Sequence, residues 1–138
     1  MISFDLIQAA IITKLKADAP LVAVVGAEIR ESQWQGTGFN YPGVRVEVGS
    51  GRPIGESCVD SHSLVTFTVP CFSENDSSQE ADQLAGLVVD ALFLDTLVAA
   101  TFKTGLIRIS GAGVQSARRS PERIWRSQVE FQANFYES

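Results

Sequence analysis

Apolar and polar positions alternate strictly near the end of the chain. In "RIWRSQVEFQANF", Trp125, Val129, Phe131, Ala133 and Phe135 share one side, and Arg126, Gln128, Glu130, Gln132 and Asn134 share the other. Period two predicts a strand with one face on a core. The same period runs through "VRVEV", with Val44, Val46 and Val48 inward and Arg45 and Glu47 outward, and through "SLVTFTVPCF", where Val65, Phe67, Val69 and Cys71 share a face. Pro70 predicts that this second strand is at an edge or near its end. "AEIRESQW" reads as an edge strand and "TGLIRIS" as a short one.

Helical spacing appears twice. In "SFDLIQAAIITKLKAD", Phe4, Ile7, Ile11 and Leu15 form a stripe widened by Leu6 and Ala10, with Ser3 as cap. Pro20 ends this helix or begins a short turn, and Gly26 closes the segment. In "SSQEADQLAGLVVDALF", Ala81, Leu84, Ala85, Val88, Ala91 and Leu92 form the stripe. Ser77 and Glu80 stand at capping-box spacing, and Gly86 offers room for another backbone. "GSGRPIGESCVDSH" and "GAGVQSARRSPER" read as long glycine-bearing loops, Gly49 to Ser61 and Gly111 to Arg123. The order of helix, strands, helix, strands predicts one α+β domain over residues 1–138. Its mainly antiparallel β-sheet carries two amphipathic helices packed on one face.

Size and composition support a single core. A chain of 138 residues with 45% apolar content buries about 68–70% of its extended surface on folding and needs no staple. Two cysteines, Cys58 and Cys71, are too few for a disulfide framework and fit a reducing compartment. Eleven basic against sixteen acidic residues give a net charge of −5, which opposes general affinity for nucleic acid or an anionic membrane. No apolar run is long enough to span a bilayer and the start lacks the pattern of a signal peptide. The expectation is a soluble, cytoplasmically folded protein with no membrane contact.

Candidate chemistry is sparse. Cys58, Asp60 and His62, spaced by two, would share a strand face, and Cys71 could complete a metal set; a cysteine nucleophile with His62 as base is the other conceivable chemistry. The set matches no common zinc spacing, and a polar strand end with packed thiols is the simpler reading. Neither glycine run opens a helix or carries a P-loop lysine, so neither is a phosphate cradle. Asp76, Glu80 and Asp82 surround a helix start, where negative charge is favourable anyway, and Glu74 precedes them. No catalytic, cofactor or metal site is expected. Arg118, Arg119, Arg123 and Arg126 fall within nine positions of an otherwise acidic chain. As a contact they could clamp carboxylates or phosphate. The overall charge favours an acidic protein partner over DNA, such as the acidic helix start of a neighbouring copy.

Five stretches together resemble the small tail-completion or tail-terminator proteins of tailed bacteriophages and prophages, including their head–tail joining relatives. They are "IQAAIITKLKADAPLVAVVGAEIRES", "YPGVRVEVGSG", "HSLVTFTVPCFS", "SSQEADQLAGLVVDAL" and "RRSPERIWRSQVEFQANF". The resemblance runs over nearly the whole chain and rests on apolar positions and turns, with no catalytic signature. It implies a structural virion protein, assembled in the host cytoplasm, that forms a ring of six copies. The ring stands on the head-proximal end of the tail tube, stops growth of the tube protein and offers a surface to the neck or connector. Genome DNA passes through its hole without specific binding. A head-side connector subunit is the alternative, and a small ligand-binding or enzymatic domain using Cys58, Asp60 and His62 is a third. Under the ring reading, Arg52, Arg118, Arg119, Arg123, Asp76, Glu80 and Asp82 are candidate subunit or partner contacts. Gln128, Glu130, Gln132 and Asn134 are the candidate lumen or interface face, their amides unsuited to holding phosphate.

Overall fold

The computed structural model describes residues 2–32, 40–54 and 62–137. Three helices, α1 (Phe4–Lys16), α2 (Ala19–Val25) and α3 (Gln79–Leu92), accompany six strands: β1 (Ile29–Glu31), β2 (Gly43–Ile54), β3 (His62–Ser73), β4 (Phe102–Thr104), β5 (Arg108–Arg119) and β6 (Trp125–Glu137). All six strands form one sheet in the order β1-β2-β3-β6-β4, with β5 also paired to β6. Every pairing is antiparallel except β1 with β2. The fold is α+β, as the alternation of patterns predicts.

The helices lie on one side of this sheet. α1 packs on β1 and β2, α3 packs on β3, β5 and β6, and α2 bridges α1 and α3. The core is the set of inward residues the period-two pattern picks out. Val65, Phe67 and Val69 of β3 stand opposite Ala133, Phe131 and Val129 of β6, and all six are buried. The Phe67 and Phe131 rings stack at 5.3 Å. Each valine or phenylalanine among them contributes about 1.5–3 kcal/mol when removed from water. The α3 stripe is buried as spaced, from Ala81 to Leu92. On the other side of the sheet Leu64, Thr66, Thr68, Gln128, Glu130, Gln132 and Asn134 stay half-exposed, and no described element covers them.

Several expectations are corrected. Pro20 does not end the helical region: it enters the first turn of α2, where a missing N–H costs nothing, and Asp18 Oδ2 accepts from Leu21 N at 3.2 Å. Gly26 closes α2 at φ +60°, as expected. Leu6 is 46% exposed and does not widen the buried stripe, which is Ile7, Ile11 and Leu15. Ser3 precedes α1 without a side-chain cap to it. The Ser77–Glu80 capping box does not form, because Ser73 Oγ donates to Glu80 Oε1 at 2.8 Å. Gly86 has open space around it and no approaching backbone.

The strands are also longer than their patterns. The stretch Gly49 to Ile54 is strand, not loop, and pairs with β3 down to Ile54↔His62; Gly55 to Ser61 lie outside the described residues. "GAGVQSAR" is likewise strand within β5. β3 is an inner strand between β2 and β6, so Pro70 is not at an edge. Its missing donor falls in a gap of the β2–β3 ladder, whose neighbouring pairs are Val44↔Cys71 and Glu47↔Thr68. Arg45 points away from the helices as expected yet is only 6% exposed. Its guanidinium lies 3.9 Å from Glu28 Oε2, with Arg30 at 3.6 Å from the same oxygen. Burial lowers the Arg45 pKa and Glu28 pushes it back up.

Candidate assembly surfaces

The β5–β6 hairpin end gathers the arginines, on two different faces. A turn bonded from Ser120 N to Ile124 O and from Arg123 N to Ser120 O connects the strands, with Arg123 at φ +63°. Arg119 pairs with Trp125 on the helix side, whereas Arg118 pairs with Arg126 on the opposite side. On the helix side, Arg119, Arg123 and Trp125 share a cleft of about 110 Å³ with Glu74, Asn75 and Asp76. The acidic helix start therefore meets arginines of its own chain. Asp82 is also engaged internally, its Oδ1 accepting from Ala117 N of β5 at 2.7 Å, and Glu80 is held by Ser73. Arg52 is remote from this group, near the far end of β2 opposite Leu64.

The half-exposed residues of β6 do share one face, and three of the four have partners in their own chain. Glu130 Oε2 accepts from Ala112 N at 3.0 Å. Gln132 Oε1 accepts from Ser110 Oγ at 3.2 Å. Asn134 Oδ1 lies 2.9 Å from His62 Nε2, whose ring stacks on Tyr136 at 4.5 Å. Gln128 stands opposite Gln115. The face is not the neutral amide surface that β6 alone predicts. Pairing brings Arg108 beside Gln132 and Arg118 beside Arg126 on the same side.

His62 is thus part of this polar face, while Cys58 and Asp60 lie outside the described residues. Cys71 faces the core, fully buried, and burial pushes its thiol up to about 12. No group of three or more His, Cys, Asp or Glu arranged to hold a metal occurs among the described residues. No described helix is long and apolar enough to cross a membrane.

One surface was not visible in the sequence patterns. Leu6, Ala9, Ala10 and Thr13 of α1 and residues 98–102 line an open groove of about 410 Å³. Val98 is 81% exposed at its rim. The signal available was Leu6, an apolar residue out of phase with the Ile7–Ile11–Leu15 seam.

A family model described as tail completion protein gp17 matches residues 9–136. The chain belongs to this tail completion family. Membership makes it a structural protein of the phage tail, located in the virion tail. Its fold is also that of a chain in the solved "Virion of native gene transfer agent (GTA) particle", at 23% identity and TM-score 0.72, covering 95% of this chain and 94% of that one. A second solved chain is similar at 16% identity and TM-score 0.54, covering 100% and 97%. No curated protein matches significantly.

Proposed function

We propose that this tail completion protein forms a closed ring, of six copies, on the head-proximal end of the tail tube. There it stops addition of tube protein and presents the docking surface for the neck. Genome DNA passes through the opening. The observation that carries this reading is the one-sided packing of α1, α2 and α3, which leaves a broad sheet face open in a chain of the tail completion family.

The apolar groove at α1 supports it further. Val98 and Leu6 are exposed beside buried Phe102, and an apolar rim of this kind is covered most economically by a neighbouring subunit. Arg119, Arg123 and Asp76 line a charged cleft at the other end of the sheet, suited to the polar rim of an interface. Light scattering with negative-stain imaging of the purified protein, alone and with tail tube protein, tests the reading. Uniform rings support it; a monomer under both conditions opposes it.

A further inference from the structure

We infer that the sheet face turned away from the helices is a contact surface for the phosphodiester backbone of duplex DNA, centred on Arg118 and Arg126. This goes beyond the ring reading and does not depend on it, since copies could close a ring with this face in any direction.

The first observation is a charge asymmetry that the net charge hides. Register places Arg52, Lys103, Arg108, Arg118 and Arg126 on the same side of the sheet as Gln132 and Asn134. All five are exposed, and none forms an ion pair with a described carboxylate. The negative groups of this face are fewer. Glu28 lies against Arg30 and Arg45, leaving Glu47 and Glu130, the latter hydrogen-bonded by the backbone of Ala112, against the five cations. A protein of net charge −5 therefore presents a positive face.

The second observation is the pairing of like charges. Arg118 and Arg126 are direct cross-strand partners, an arrangement that opposes folding unless something relieves it. The Arg126 guanidinium lies over the Phe72 ring at 5.7 Å, which stabilises a cation and holds it in place without neutralising it. Together with Gln115, Ser116, Arg119, Ser120 and Gln128 the two arginines line a shallow groove of about 290 Å³. Guanidinium and amide donors around one groove suit phosphate oxygens.

The spread of the cations selects the ligand. Arg126 and the Gln132 position beside Arg108 are six residues apart on β6, about 20 Å along the strand. Arg52 on β2 lies three strands from Arg108 and Arg118 on β5, adding roughly 14 Å of width. No single small anion reaches all of these, whereas a polyanion does. An acidic protein would require an apolar, desolvated centre to its interface. Here the large rings, Phe72 and Tyr136, are already stacked with Arg126 and His62, and the remainder is amide, hydroxyl and cation. That composition matches the wet, polar, positive interfaces made with DNA.

The test is fluorescence anisotropy of a labelled random-sequence duplex of about 20 base pairs, titrated with full-length protein at several salt concentrations. Poly-glutamate serves as the competing polyanion. The variants are Arg118→Gln/Arg126→Gln and, with the same change in net charge, Lys16→Gln/Arg123→Gln on the helix side. The expected result is salt-sensitive binding by wild type. The first variant should bind at least fivefold more weakly, with a salt slope shallower by about 2, since each phosphate left without its arginine takes about 0.9 from the slope. The second should weaken binding by less than twofold. Equal weakening in both variants, no binding even at low salt, or poly-glutamate competing as well as unlabelled DNA would each overturn the inference. Ring formation is read separately by mass, so failure here and failure of the ring reading are distinguishable.

Discussion

The carboxylate of Glu130 occupies the space that a side chain on Gly111 would need. Gly111 is at φ +55° and Gly113 at φ +71°, and the bulge they form turns the Ala112 N–H onto Glu130 Oε2. This contact locks the irregular part of β5 onto β6, between the pairs Ile109↔Phe131 and Val114↔Val129.

Gly111→Ala should therefore destabilise the protein by about 2 kcal/mol, combining a left-handed backbone penalty of roughly 1–2 kcal/mol with the collision. In a Glu130→Ala background the collision is absent and the cost should fall toward the backbone penalty alone. Urea denaturation of the four proteins in this cycle measures the difference. An identical cost in both backgrounds would show that Glu130 does not pack on the bulge.

Removing Glu28 should be more damaging than its place beside a short edge strand implies. It lies against the buried Arg45, and Glu28→Ala removes a carboxylate from beside that buried cation, at up to about 3–5 kcal/mol for a buried pair broken on one side. Adding Arg45→Met should recover much of the stability, because an apolar replacement restores packing without charge. Thermal unfolding of the single and double variants checks this; a double variant no more stable than Glu28→Ala would contradict it.

Cys71 should be inert in the native state. Its thiol is raised to about 12 by burial from an ordinary 9.0, and thiolate is the reactive form. Iodoacetamide followed by mass spectrometry should modify Cys71 only after unfolding. The linkage runs in one direction. Below pH 9 the thiol is protonated in both states, and its contribution is fully present. As pH rises from about 9 to about 12 the unfolded chain ionises while the native one does not, so stability falls. Replacing Cys71 with alanine should flatten that alkaline decline.

Val98→Asp should leave the subunit folded and reduce self-association. The residue is 81% exposed, so the change in stability should stay within about 0.5 kcal/mol. A carboxylate at the rim of the α1 groove would then be desolvated at a subunit contact. Mass photometry beside circular dichroism separates the two effects. Unchanged assembly with unchanged folding would remove this groove from the interface.

The sequence makes some elements plain because their information is local. The α3 stripe and the alternation of β6 are each written in a single periodic segment, and both are buried as spaced. β5 is hidden because "GAG" has the composition of a turn; only pairing with β6 on either side makes those left-handed glycines a bulge within one strand. Pro20 reads as a breaker until Asp18 is seen to cap a new helix around it. Arg45 alternates outward, and nothing nearby announces that β1 will run parallel to β2 and bring Glu28 against it. The candidate contacts follow the same rule. Arg118 and Arg119 are adjacent in sequence, yet strand geometry sends them to opposite faces, so a cluster seen in one dimension becomes two surfaces in three.

The ring reading is tested most directly by assembling tail tube protein in the presence and absence of this chain and imaging the products by negative stain. Added chain should shorten the tubes and leave a ring of extra density at one end of each, with Val98→Asp less effective. Tubes of unchanged length with bare ends would contradict the account.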